Sequence, residues 1–236
     1  MKTNLSPALF VIAASLLTSQ TFADDARHTS NANISDWGKP TDPDGDCKFF
    51  RAPGELLISV PGSNGPHDLA TDVNKTNAPC VLKAVSGDFS IQVKVDGRFA
   101  PGTKTSLPGR FAYNGAGLLL MADASNVVCL ARGVFQRPGD EPKTYANFEK
   151  RVGGELERIG DAADHALPAT GPVFLRLARH GQTIFGWVST DGNKWDALPP
   201  KVLPDSWPNK LSVGIVAIST SEQEFNPRFS SFKLAK

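Results

Sequence analysis

The densest group of chemically active side chains is the acidic loop at residues 42–46, with the sequence DPDGD. Alternating aspartates around a glycine can direct several carboxylate oxygens at calcium, which takes about six to eight oxygen ligands. The spacing departs from the usual calcium loop, because Cys47 stands where a glycine is expected after the third aspartate. Calcium bound by Asp42, Asp44 and Asp46 is therefore one expectation, and a turn held by aspartate hydrogen bonds is the alternative.

A second pair of carboxylates, Glu155 and Glu157, shares one face of the chain if this segment is a strand. Glycoside hydrolases use one carboxyl group to protonate the leaving oxygen and another to attack or stabilise the sugar. The sandwich-glycanase pattern ExDxxE is not matched, because Glu157 replaces its aspartate and Gly160 its last glutamate. A solvated strand face is therefore favoured over a catalytic pair.

Histidines and motifs give little further support for catalysis. The sequence contains no GxSxG, HExxH, P-loop or GxGxxG pattern, which argues against the common hydrolase, metalloprotease and nucleotide-binding classes. Of the four histidines, only His67 and His165 are placed where they could serve a site. For His67, a hydrogen-bonded structural role is favoured over a functional one.

Three cysteines, Cys47, Cys80 and Cys129, allow three pairings and leave one thiol over. Cys129 lies in an apolar run, where a buried free thiol is expected. A disulfide between Cys47 and Cys80 is therefore favoured. No two cysteines have zinc-knuckle or CxxC spacing, so structural zinc is not expected.

The four tryptophans are the residues best suited to stack on sugar rings, whose C–H faces pack on indole. Trp187 lies inside a predicted strand, where packing in the core is the simpler expectation. Trp195 and Trp207 lie beside turns and are the better candidates for exposed binding residues.

The elements that must position these side chains are strands. At 89–95, Phe89, Ile91, Val93 and Val95 alternate with polar residues, as in a strand with one buried face. Paired apolar runs predict hairpins within 115–132 and 171–189, and further strands are predicted at 55–60, 211–218 and 225–234. Helical periodicity does not extend beyond about two turns anywhere.

Short strands separated by Gly, Pro, Asn and Asp predict an all-β fold, an antiparallel β-sandwich or barrel. We expect one β-sandwich domain at 34–236. The 25 basic and 24 acidic residues give a net charge of +1, which offers no electrostatic reason for binding nucleic acid or an anionic membrane.

The first residues predict an exported protein. One early lysine, a short apolar stretch and the small-residue end Thr21-Phe22-Ala23 indicate a signal peptide at 1–23, followed by a flexible leader at 24–33. The apolar stretch is shorter than the roughly 20 residues of a membrane span, and no later segment comes close. We therefore expect a secreted or periplasmic protein without a membrane span.

Several segments together resemble a known family. They are YNGAGLLL at 113–120, its return at 126–132, LRLAR at 175–179 and STDGNKW at 189–195, with TNAP at 76–79 and VSGDF at 85–89. In this order they resemble the regulation-of-enolase-like family, domain of unknown function 1349, whose members look like concanavalin A-type jelly rolls. The resemblance covers roughly residues 42–236.

The resemblance implies a concanavalin A-like jelly roll and, by analogy with lectins and glucanases, a glycan as partner. On that analogy Arg132 would donate paired hydrogen bonds, Trp187 and Trp195 would stack on sugars, and Asn114 would bond a hydroxyl. Fold alone does not confer function. Three interpretations therefore stay open: an exported, non-catalytic carbohydrate-binding module, a glycoside-acting enzyme, and a structural or protein-interaction domain.

Overall fold

A computed structural model describes residues 34, 36–62, 65–73, 75–158 and 163–236. The predicted signal peptide and leader lie outside these residues. Among those described, no helix is long and apolar enough to cross a membrane. The strands are β1 (Lys39–Thr41), β2 (Lys48–Ala52), β3 (Glu55–Ser59), β4 (Leu69–Ala70), β5 (Lys75–Thr76), β6 (Cys80–Ser86), β7 (Phe89–Asp96), β8 (Ala112–Asp123), β9 (Asn126–Gln136), β10 (Lys143–Val152), β11 (Glu155–Arg158), β12 (Val173–His180), β13 (Thr183–Ser189), β14 (Asp196–Val202), β15 (Lys210–Ser219) and β16 (Arg228–Ala235), with a 3-10 turn at Thr71–Val73.

Two seven-stranded antiparallel sheets form the body of the protein. Sheet I has the order β1-β6-β15-β8-β9-β10-β11, and sheet II has the order β14-β13-β12-β7-β16-β3-β2. Strands β4 and β5 form a separate two-stranded ribbon. The predicted all-β antiparallel sandwich is confirmed.

Sheet II follows the alternation expected from its sequence. In β7, Phe89, Ile91, Val93 and Val95 are buried, and the residues between them are half-buried. Strand β12 repeats this pattern. Apolar side chains from alternate positions of both sheets meet in one hydrophobic core.

Sheet I is buried on both faces over much of its area. Leu118 and Leu130 face the main core. Leu119 and Cys129, which are the sequence neighbours of Leu118 and Leu130, belong to a second apolar cluster on the outer face. That cluster also contains Leu69 and Ala78, from the segment that crosses this face. Double burial explains why β8 and β9 contain continuous apolar runs.

Cys129 is the buried free thiol that was expected, whereas Cys47, Cys80 and Trp207 differ from expectation. All three cysteines are free, so the predicted Cys47–Cys80 disulfide is not formed. Burial raises the pKa of Cys80 to about 12 and raises that of Cys129 as well. Trp207 packs in the main core despite its position near a turn, and is not an exposed binding residue.

Candidate functional site

A cavity of about 1150 Å³ lies on the outer face of sheet I. Strand β10 crosses it and directs Tyr145, Asn147, Glu149 and Arg151 into it. The intervening Phe148 packs in the main core. One strand therefore supplies both a core residue and a row of polar and aromatic groups lining the cavity.

The floor of the cavity depends on two paired glycines, Gly115 in β8 and Gly133 in β9. A Cβ at Gly133 would lie 2.9 Å from the Tyr113 hydroxyl and 3.2 Å from Tyr145 Cε1. A Cβ at Gly115 would overlap the Tyr113 ring more severely. These glycines therefore leave the room in which the two tyrosine rings lie against the sheet.

Aromatic rings form one wall. Phe135 meets Tyr145 edge to face at 5.9 Å and is stacked with Phe111 at 6.3 Å between ring centroids. The Arg137 guanidinium lies over both phenylalanines, at 5.0 and 5.6 Å. Phe111 is 50% exposed, so the rim presents an apolar ring to a ligand.

Charged and amide groups form the other wall around Glu149, which is only 4% exposed. The carboxylate accepts hydrogen bonds from Asn147 Nδ2 at 3.1 Å and from Arg151 Nε at 3.4 Å. Arg158 Nη2 lies 3.8 Å from the same carboxylate. The two guanidinium groups compensate the buried negative charge.

Asn147 has an unused acceptor in the cavity. Its Nδ2 donates to Glu149 and, at 3.4 Å, to the Tyr113 hydroxyl. Its Oδ1 is buried and has no hydrogen-bond partner in the described part of the chain. A buried acceptor without a partner is costly, and a ligand hydroxyl would satisfy it.

The third side of the cavity is the segment at 68–72. Burial raises the pKa of Asp68 to about 6, the Leu69 N–H opposes this rise, and the nearby Glu149 charge adds to it. Asp72 pairs with Arg110 and lies 3.9 Å from Arg151 Nη1. Asp68 is therefore a carboxyl group that titrates close to neutral pH at the cavity edge.

Two of the residues predicted to bind a glycan have structural roles instead. Arg132 is 1% exposed and donates to the carbonyls of Gly171 at 2.6 Å and Ala169 at 2.9 Å, with its guanidinium 4.5 Å from the Phe99 ring centroid. Asn114 is also buried and donates to the Ser219 hydroxyl. Both residues serve the interior, so their assignment as ligand residues was wrong.

The other two predicted ligands, Trp187 and Trp195, are half-buried and belong to the sheet II side. Trp187 is stacked with Phe185, and the Arg176 guanidinium lies 4.0 Å from the Trp195 ring centroid. Arg176 and Trp187 are cross-strand neighbours. The structure therefore brings the two tryptophans to one patch, on the other sheet from the cavity.

The candidate carboxylates Glu155 and Glu157 lie on the exposed strand β11, in agreement with the solvated strand face that was favoured for them. Glu157 pairs with Lys150 at 2.6 Å and with Lys201 at 3.1 Å. These lysines, Lys150 first, lower the pKa of Glu157. Glu155 lines the cavity, but Glu157 is neutralised by two cations at the sheet edge.

The three aspartates of the acidic loop engage three different partners. Asp42 Oδ2 accepts the Cys47 N–H at 2.8 Å, and Asp44 accepts from Asn77. Asp46 Oδ1 lies 2.9 Å from His67 Nε2. The carboxylates therefore do not converge as the predicted calcium cage would require. The alternative of a hydrogen-bonded turn describes Asp42, whereas Asp44 makes a tertiary contact with Asn77. His67 has the structural hydrogen bond that was expected of it.

The cavity row on β10 was missed by sequence analysis. Tyr145, Asn147, Glu149 and Arg151 are all at least nine-tenths buried, although their types suggest a wet surface. The available signal was their spacing of two residues around Ala146 and Phe148, which is a strand period with polar residues on the covered face.

Comparison with solved structures places the fold among jelly rolls. A functionally unknown protein from Saccharomyces cerevisiae matches with a TM-score of 0.57 and 15% identity, over 85% of this chain and 97% of that one. The GH43 protein BlXynB from Bacillus licheniformis matches with a TM-score of 0.58 and 18% identity, over 83% of this chain and 35% of that one. A xylan β-1,4-xylosidase from Bacillus halodurans C-125 matches with a TM-score of 0.55 and 16% identity, over 76% of this chain and 33% of that one.

This chain thus spans about a third of the length of the latter two proteins. No family model matches the chain, and a search of curated proteins found no match. At identities this low, the matches support the fold class alone, a jelly-roll β-sandwich. The function has to be argued from the site itself.

Proposed function

We propose that this protein is an exported, non-catalytic carbohydrate-binding module of the regulation-of-enolase-like family, and that its glycan binds in the sheet I cavity. The observation that carries the proposal is the pairing of an aromatic wall with a buried polar row on β10. Sugars need both, because their C–H faces pack on rings and their hydroxyls need donors and acceptors. Within the part of the chain that the structure describes, Asn147 Oδ1 is a cavity acceptor without a donor.

The size of the cavity supports a chain of sugars as the ligand. Small-molecule sites typically measure about 300–1,000 Å³. The cavity here, at about 1150 Å³, lies above that range. Phe111 at the rim would pack on one sugar unit while the β10 row bonds the next, so we expect an oligosaccharide segment to bind better than a monosaccharide.

A binding screen tests this proposal. The purified protein is titrated with soluble polysaccharides, beginning with β-1,4-xylan, and with Gly133→Ala and Ala178→Val as matched variants that add bulk to each outer face. A methyl group at Gly133 displaces the Tyr113 and Tyr145 rings. We expect Gly133→Ala to weaken binding at least tenfold, about 1.4 kcal/mol, and Ala178→Val to leave it unchanged.

The proposal fails if no polysaccharide binds saturably, or if both variants bind as the unsubstituted protein does. Melting temperatures of the variants separate a lost site from a lost fold. Binding that disappears only in Ala178→Val would move the site to the tryptophan patch of sheet II.

A second candidate function, glycoside cleavage, is favoured by Asp68. A carboxyl group with a pKa of about 6 keeps its proton in mildly acidic solution, as a general acid must. Glu149 would be the second carboxylate. Release of reducing ends from a bound polysaccharide, abolished by Asp68→Asn while binding is retained, would establish cleavage. If no bound polysaccharide releases reducing ends, glycoside cleavage is contradicted and the non-catalytic binding module is the remaining proposal.

A further inference from the structure

The strongest unassigned cluster lies where the acidic loop meets His67. Asp46 Oδ1 is 2.9 Å from His67 Nε2 and 3.5 Å from Cys47 Sγ. One ligand atom from each of the three residues lies within 4.8 Å of the others. Loop and histidine come from separate segments of the chain, so the fold, and not local sequence, brings a carboxylate, a thiol and an imidazole together.

Two buried polar atoms in this region lack partners. His67 is completely buried, and its Nδ1 has no hydrogen-bond partner among the described residues. The same holds for Asp42 Oδ1, whose other oxygen accepts the Cys47 N–H. Buried polar atoms of this kind cost free energy unless something satisfies them. A cation beside Asp46 and Cys47 would interact favourably with the Asp42 carboxylate as well.

We infer that Asp46, Cys47 and His67 bind Zn²⁺, with the Asp42 carboxylate adjacent. Thiolate, imidazole and carboxylate are the ligands that zinc takes, whereas calcium is bound by oxygen alone. Tetrahedral zinc with bonds of about 2.0–2.3 Å places its ligand atoms about 3.3–3.8 Å apart. The ligand atoms here lie within 4.8 Å of one another, so the side chains need to close by about 1 Å at most. Binding replaces the thiol proton, which leaves to solvent, with a metal–sulfur bond.

The site would fix one side of the cavity. Asn77 Nδ2 donates to the Asp44 carboxylate and to the Pro66 carbonyl, and Asn77 Oδ1 accepts the Asp68 N–H. The acidic loop is therefore joined to the segment that carries His67 and Asp68. Zinc would strengthen that connection beside the cavity. The zinc site is supported by the three clustered residues and the two polar atoms beside them, independently of whether a glycan binds.

Cobalt substitution tests the site directly. Co²⁺ is added to the purified protein in a non-thiol reductant, and the thiolate-to-cobalt charge-transfer band is followed in the near ultraviolet. We expect the band to saturate at one equivalent and to be displaced by Zn²⁺. Cys47→Ser should abolish the band, whereas Cys129→Ser, which removes a thiol buried elsewhere, should preserve it.

Asp46→Asn provides a second variant on the loop, where folding is least affected. It should weaken Co²⁺ binding at least tenfold, because a neutral amide replaces a ligating carboxylate. The inference is overturned if the unsubstituted protein shows no band, if the band persists in Cys47→Ser, or if Asp46→Asn binds with unchanged affinity. Circular dichroism confirms that each variant is folded.

Discussion

The outer faces of the two sheets are built on opposite principles. On sheet II, β7 and β12 alternate buried and half-buried residues, and the half-buried Arg176 donates a hydrogen bond to Gln92 at the surface. On sheet I, the corresponding positions of β10 are buried and include Asn147 and Glu149. The sheet that departs from alternation is the one that carries the cavity.

The difference in burial changes what each charge costs. Arg176 is half-buried, donates to Gln92 at 2.8 Å and stacks on Trp195. Glu149 is enclosed, and its charge must be balanced by Arg151 and Arg158. Removing one partner of an enclosed ion pair leaves a buried charge uncompensated and lowers stability strongly. Removing one partner of an exposed pair changes stability little.

The largest expected effect is on stability. Glu149→Ala should lower the free energy of unfolding by about 3–5 kcal/mol, because the buried Arg151 loses its closer carboxylate and keeps Asp72 at 3.9 Å. Arg176→Ala on sheet II should cost about 1 kcal/mol or less. Urea denaturation of both variants measures this contrast. Equal losses in the two variants would mean that the two faces do not differ as described.

The next effect concerns pH. Asp68 has a pKa of about 6 in the folded protein, against about 3.9 for an ordinary aspartate in the unfolded chain. Between these values the folded protein keeps a proton that the unfolded chain has lost. The free energy of unfolding therefore falls as the pH rises from about 4 to about 6, by up to about 3 kcal/mol relative to Asp68→Asn.

Asp88, beside the β12–β13 turn on sheet II, is the matched control with the opposite sign. The Gly181 N–H and then His180 lower its pKa. Asp88 therefore stabilises the folded protein above the pKa of the unfolded chain, and this contribution is lost as the pH falls through the lower folded value. Urea titrations of Asp68→Asn and Asp88→Asn against pH should give slopes of opposite sign; slopes of the same sign would contradict the assignment.

A smaller effect is expected from Trp195→Ala, which removes the ring over which Arg176 lies. The loss of this contact should cost about 0.5–1 kcal/mol in thermal or urea unfolding. Binding of any polysaccharide in the cavity should be unchanged. A large loss of affinity in this variant would favour the tryptophan patch as the ligand site.

The sequence predicted five strands of sheet II, β3, β7, β12, β13 and β16, and did not predict its edge strands β2 and β14. The alternation of Phe89, Ile91, Val93 and Val95 marks β7 directly, and the hairpin predicted within 171–189 consists of β12 and β13. On sheet I the apolar runs of β8 and β9 predicted a hairpin correctly. They did not show that residues such as Leu69 and Ala78 cover the outer face of sheet I.

The candidate site was harder to predict because the two-residue period of β10 does not reveal that the strand's polar face is covered. Asn147 and Glu149 look like surface residues, so β10 was not recognised as a strand. Arg132 was chosen for its ability to bond a ligand, and it uses that ability on backbone carbonyls inside the protein. His67 and Asp46 meet only through tertiary structure, a contact that local spacing could not reveal.

The most direct test of the cavity as the glycan site compares two aromatic truncations. Phe111→Ala removes an exposed ring at the cavity rim, and Trp187→Ala removes a half-buried ring on sheet II. Isothermal titration with the best polysaccharide from the screen should show at least a tenfold loss of affinity, about 1.4 kcal/mol, for Phe111→Ala. Trp187→Ala should bind as the unsubstituted protein does. Unchanged binding by Phe111→Ala with a loss in Trp187→Ala would contradict the account.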